Sequence, residues 1–82
     1  MYSHVIEEKV KGKRFRVILT YDEAPSFRSS FDLGIYDSEA EALEAVEQAK
    51  VLHTEDLTDP KDKPQNRLER FIDAHYRAYG GN

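Results

Sequence analysis

The chain of 82 residues predicts an α+β fold, a three-stranded antiparallel sheet followed by two helices in β-β-β-α-α order. Three observations carry that prediction. Apolar residues alternate with period two from Arg14 to Tyr21 and again up to Tyr36. The period becomes helical within three residues of Tyr36, and a second helical stripe recurs from Leu68 to Tyr79. Short links between consecutive strands imply a meander, because only antiparallel neighbours can be joined that way.

The first strand reads from Tyr2 to Val10, and Lys11-Gly12-Lys13 supplies the turn, with Gly12 free to take a positive φ. In the second, Phe15, Val17, Leu19 and Tyr21 share one face while Arg14, Arg16, Ile18 and Thr20 share the other. Asp22 to Ser26 reads as a loop, since Pro25 cannot donate to a ladder and biases Ala24 away from helix. The third strand starts at Phe27 or Ser29 and ends at Tyr36. Strict alternation places Phe31, Leu33 and Ile35 inward and Ser30, Asp32, Gly34 and Tyr36 outward.

Ser38 and Glu41 have capping-box spacing, so the first helix should start at Ser38 and run to about Leu52 within an acidic segment, residues 37–53. Its inner stripe would be Ala42, Leu43, Val46, Ala49 and Leu52 or His53, with Glu39, Glu41, Glu44 and Glu47 outside. Residues 54–65, with Pro60 and Pro64, read as an exposed connector. The last helix should occupy residues 66–79 and stop at Gly80-Gly81. Its stripe, Leu68, Phe71, Ile72, His75, Tyr76 and Tyr79, either packs beside the first helix or faces a partner or a second copy.

Residues 1–82 thus read as one domain, of which 1–36 form the meander. Without cysteine there is no disulfide framework and no thiolate metal site. The amino terminus lacks a basic region followed by an apolar run, and no apolar stretch is long enough to cross a bilayer; a cytoplasmic protein without membrane contact is expected. The net charge of −4 disfavours nucleic-acid binding through the whole surface, and its distribution says more. Residues 37–62 hold two cations against nine acids, a net of −7, whereas Lys9, Lys11, Lys13, Arg14 and Arg16 occur within residues 9–16 without one acid.

Catalysis finds no foothold in these residues. No Gly-rich phosphate loop is present, and no two of His4, His53 and His75 have the spacing of a helical zinc site. Glu55 and Asp56 beside His53 offer at most weak ligation, and His53 is expected to sit at the carbonyl end of the first helix. Ser26, Ser29 and Ser30 lie near Arg28 but have no candidate base, and turn chemistry accounts for them. No catalytic residue, metal or cofactor is expected, and no enzyme activity.

Two binding readings follow. In the first, the chain is a small protein-interaction or regulatory module, a monomer or a homodimer. Its contacts come from Glu41, Glu44 and Glu47 on the acidic helix or from Leu68, Phe71, Ile72, His75, Tyr76 and Tyr79 on the last one. An inhibitor would use the same carboxylates, extended by Glu39, Glu55, Asp56, Asp59 and Asp62, against a basic groove. In the second, the sheet binds nucleic acid, with Arg14, Arg16 and Arg28 on its face and Lys9, Lys11 and Lys13 on phosphates.

The run Leu33-Gly34-Ile35-Tyr36-Asp37-Ser38-Glu39-Ala40-Glu41-Ala42, ten of the 82 residues, resembles the strand-to-helix junction of the plant ethylene-response-factor DNA-binding domains and of the arm-binding domains of tyrosine integrases. The resemblance implies a three-stranded sheet packed on one helix, with DNA read from the sheet by arginine and aromatic side chains, here Arg14, Arg16 and Arg28. This chain differs from them in lacking tryptophan, in its acidic balance and in its second helix.

Overall fold

The structure, a computed structural model, describes residues 1–24, 27–58 and 66–79, without the side chains of Ala24, Phe27 and Tyr79. It contains β1 (Tyr2–Val10), β2 (Arg14–Ala24), β3 (Phe27–Tyr36), α1 (Glu39–Thr58) and α2 (Arg67–Tyr79). The strands form one antiparallel sheet in the order β1-β2-β3, so the α+β meander with two following helices is as the periodicities predict. At the first turn Gly12 takes a φ of 71°, Lys13 N donates to Val10 O at 2.8 Å, and Gly12 N donates to the Glu8 carboxylate, also at 2.8 Å. Of the expected loop and connector, Pro25, Ser26 and residues 59–65 lie outside the described residues, as does the Gly80-Gly81 stop.

The second strand outruns its periodic signal. Asp22, Glu23 and Ala24, expected in a loop, continue β2. The backbone of Asp22 exchanges bonds with Met1, receiving at O from the Met1 ammonium (2.6 Å) and donating from N to Met1 O (2.9 Å), and its carboxylate pairs with Arg28 across the sheet at 2.8 Å. Paired backbone groups on both sides hold the chain extended where composition suggests a turn.

A bulge in β3 corrects two side-chain orientations. Val17 pairs with Gly34 but Ile18 pairs with Asp32, so Leu33 is an extra residue on β3 and the alternation slips by one beyond it. Tyr36 consequently faces Phe15 on the core side and Ile35 faces Arg16 on the outer side, the reverse of the expected arrangement. Gly34 makes this possible with a φ of 100°, a region closed to ordinary residues. Leu33 itself is fully buried.

α1 touches all three strands. The Ser38 hydroxyl accepts from Glu41 N at 3.2 Å, so the cap is where the spacing predicts it. The helix then runs on to Thr58, through residues 54–58 that read as connector; the nearest prolines of the sequence are Pro60 and Pro64. Its buried residues are Ala42, Ala45, Val46, Ala49, His53 and Asp56. Leu43, expected inside, is 44% exposed, and Ala45 takes its place. This small-residue stripe rests on Phe15, Val17, Leu19 and Leu33. Close approach of helix and sheet follows from side chains no larger than valine over the first three turns.

α2 packs chiefly on α1 and β3. Leu68 is 3% exposed within the common core, and Phe71 and Ile72 are packed partly against it. The aromatic stripe therefore belongs first to its own domain. Asn66, at a φ of 57°, precedes the helix but is not its side-chain cap. That role falls to Asp56 of α1, whose carboxylate accepts from Arg67 N at 2.9 Å and Leu68 N at 3.1 Å. Asp56 is nearly as buried as Leu68. Burial opposes its ionisation, yet the two amides and the Arg67 guanidinium outweigh that and hold its carboxyl below the usual carboxylate range.

Candidate functional site

At the carboxyl end of β3 the layers diverge and leave an open groove of about 840 Å³. Glu41, Glu44, Ala45 and Gln48, at helical spacing, form its α1 wall, and Phe71, Ala74, His75 and Tyr76 form its α2 wall. Between them lie Asp32, Ile35, Tyr36 and Asp37 from β3 and the junction, while Lys9, Arg14 and Arg16 border it from the first hairpin. Its volume falls in the range of ligand and peptide sites.

The β3 bulge shapes this groove. By turning Tyr36 toward the helices, the bulge lets the His75 ring stack on it, with centroids 4.3 Å apart and planes 19° from parallel. His75 Nε2 also hydrogen-bonds the Ile35 carbonyl at 2.9 Å. The ring occupies the space over Gly34, where an added Cβ would fall 2.5 Å from His75 Cδ2. Glycine is required there twice, for its φ and for the approach of α2.

Asp32 gathers the opposite border. It accepts from Arg16 at 2.6 Å and from Gly34 N at 3.0 Å, and Tyr76 lies beside it. Burial disfavours its charge, but these donors hold its carboxyl below the ordinary range. The Tyr76 hydroxyl is pushed above its usual value by burial and by the adjacent carboxylate. α2 thus lies against the end of β3, with His75 on the Ile35 carbonyl and Tyr76 near Asp32.

The groove draws on both sets of residues singled out by sequence. From the protein-binding set it takes Glu41, Glu44, Phe71, His75 and Tyr76; Glu47 pairs instead with Lys50 at 3.1 Å, Leu68 and Ile72 face the core, and the Tyr79 side chain is not described. From the basic set it takes Lys9, Arg14 and Arg16, whereas exposed Lys11 and Lys13 form the hairpin tip and Arg28 lies at the far end of the sheet on Asp22. Asp32, Ile35, Asp37, Ala45, Gln48 and Ala74 were not foreseen as lining residues; a glycine inside a β pattern was the available hint of a bulge.

His53 corrects another expectation. Since α1 extends five residues beyond it, the ring sits not at the carbonyl end but against Tyr21 and Phe31, with centroids 4.9 and 5.1 Å away. Tyr2 Oη lies 2.8 Å from Nδ1. Burial depresses its pKa from 6.5, partly offset by Asp56 and Glu23. This arrangement is a core histidine satisfied by a tyrosine hydroxyl.

No protein-family model, curated protein or solved structure matches the chain. Fold and groove together define a small α+β domain with a ligand-sized surface cleft, and among the described residues no helix is long and apolar enough to cross a membrane.

Proposed function

We propose that this chain is a non-catalytic protein-interaction module, cytoplasmic and either monomeric or dimeric, that receives a segment of a partner protein in the groove between α1, α2 and the end of β3. One observation carries the reading. Phe71, His75 and Tyr76 remain only partly covered after α2 has docked, and they share a single open cleft with polar residues of α1. Partly exposed aromatics in a concave site are the usual anchors of peptide recognition.

The test is selection of a random-peptide display library on the full chain. Enriched peptides should bind the wild type and lose at least tenfold in affinity for Ala74→Arg, a substitution at an exposed helical position that fills the groove. Melting of that variant should be unchanged. Peptides indifferent to Ala74→Arg, or no enriched peptide, would contradict the reading.

Nucleic-acid binding by the sheet is the second reading, supported by the exposed cations Lys11, Lys13 and Arg14 and by the resemblance of the strand-to-helix junction to DNA-binding domains. Two of its arginines, however, are engaged within the sheet, Arg16 with Asp32 and Arg28 with Asp22. The first reading expects no binding to labelled duplex or single-stranded DNA at low salt. Binding with a steep salt slope, reduced by Arg14→Ala, would favour the second.

A further inference from the structure

Resting on the interaction reading, we propose that the groove seats a basic side chain of the partner, an arginine or lysine, between the carboxylates of α1 and the aromatic rings of α2. The two walls differ in chemistry. Glu41 and Glu44 stand one helical turn apart on the α1 wall, and no described residue forms an ion pair with either. Across from them Phe71 and Tyr76 offer ring surface to an aliphatic stem or to the π system of a guanidinium. The cations that border the groove do not neutralise the acids: Arg16 is held by Asp32 at 2.6 Å and Lys9 lies 3.7 Å from Glu7. Arg14 lines the groove with Asp37, Glu41 and Glu44 without an ion pair to a described residue, and with four acids against three cations the lining stays acidic by one charge. Surplus negative charge beside exposed rings complements a cation with an apolar stem; an acidic or purely aliphatic anchor leaves the carboxylates uncompensated.

N-acetyl-arginine amide and N-acetyl-norleucine amide are the probes, followed through the backbone amide spectrum of the full chain. The arginine probe should perturb amides of residues 41–48 and 71–76 with an affinity about tenfold above that of norleucine, and Glu41→Gln with Glu44→Gln should remove most of that difference. Equal response to the two probes, or an unchanged preference in the double variant, would overturn the proposal. The display selection separates this failure from failure of the reading beneath it. Groove-dependent peptides without enriched arginine or lysine would sink the cation seat alone, whereas peptides indifferent to Ala74→Arg would sink the groove as a binding site. Enrichment of a basic residue whose loss costs groove binding supports both.

Discussion

α1 and α2 lie against the same sheet and against each other, but different forces hold them. α1 presents Ala42, Val46 and Ala49, all fully buried, to Val17, Leu19 and Leu33, also fully buried, so its docking is apolar and closely packed. α2 contributes one buried leucine and then depends on two polar attachments, the Asp56 carboxylate at its first turn and the His75 ring on Ile35 O and Tyr36 near its end. Thirteen residues make only a marginal helix in isolation, so α2 owes its order to those attachments. The comparison teaches that the groove has a rigid wall and a conditional one. Its α1 side is as stable as the domain, while its α2 side persists only as long as Asp56 and His75 hold.

Leu33→Ala and Val46→Ala should have the largest effect, each costing about 2–4 kcal/mol because both leave a void where sheet and helix meet. In so small a domain this approaches global unfolding, and denaturant titration would show it. Near-wild-type midpoints for both would break the comparison at its rigid end. Gly34→Ala comes next, at about 1–3 kcal/mol, since the substitution strains a φ of 100° and displaces the His75 ring. Adding His75→Ala should relieve the clash but not the backbone strain, so part of the loss should persist in a thermal melt.

Asp56→Ala should cost about 1–2 kcal/mol by orphaning the buried Leu68 amide and the half-buried Arg67 amide, with Asp56→Asn recovering part of it through the remaining side-chain oxygen. The smallest effect is of pH. Because His53 has a depressed pKa in the folded chain, the unfolded chain takes up its proton first on acidification. Stability is then fully present above about pH 6.5 and declines as pH falls through the folded value. Asp32 and Asp56, whose pKa values are also depressed, keep their contributions until the pH falls below the ordinary carboxylate range and lose them as it drops further. A stability profile that stays flat from pH 7 to 5, or one unchanged by His53→Gln, would contradict the buried histidine.

Much of this architecture is legible in the residues, and the illegible part has identifiable causes. The clean alternation of Phe15, Val17 and Leu19 and the cap at Ser38 are local signals, and both hold in three dimensions. Leu43 shows where local reading fails, because hydrophobicity alone drew it inward while sheet proximity favoured Ala45. Ile35 and Tyr36 exchange faces because a bulge shifts the alternation by one residue, and period-two patterns carry no mark of such a slip other than Gly34 itself. Asp56 looks like one more solvated acid in an acidic stretch; its capping of a helix eleven residues away is visible only once α1 and α2 are side by side. Of the groove, the aromatic stripe and the two glutamates could be named from spacing, but their meeting with Arg14 and Arg16 depends on tertiary placement.

Amide hydrogen exchange across the wild type and Asp56→Ala tests the conditional wall most directly. Residues 67–79 should exchange roughly 5- to 30-fold faster in the variant while Ala42 to His53 keep their protection, the ratio expected for losing about 1–2 kcal/mol from α2 alone. Equal acceleration of both helices, or none in α2, would show that the two are held as one cooperative unit and that Asp56 does not govern the docking of α2.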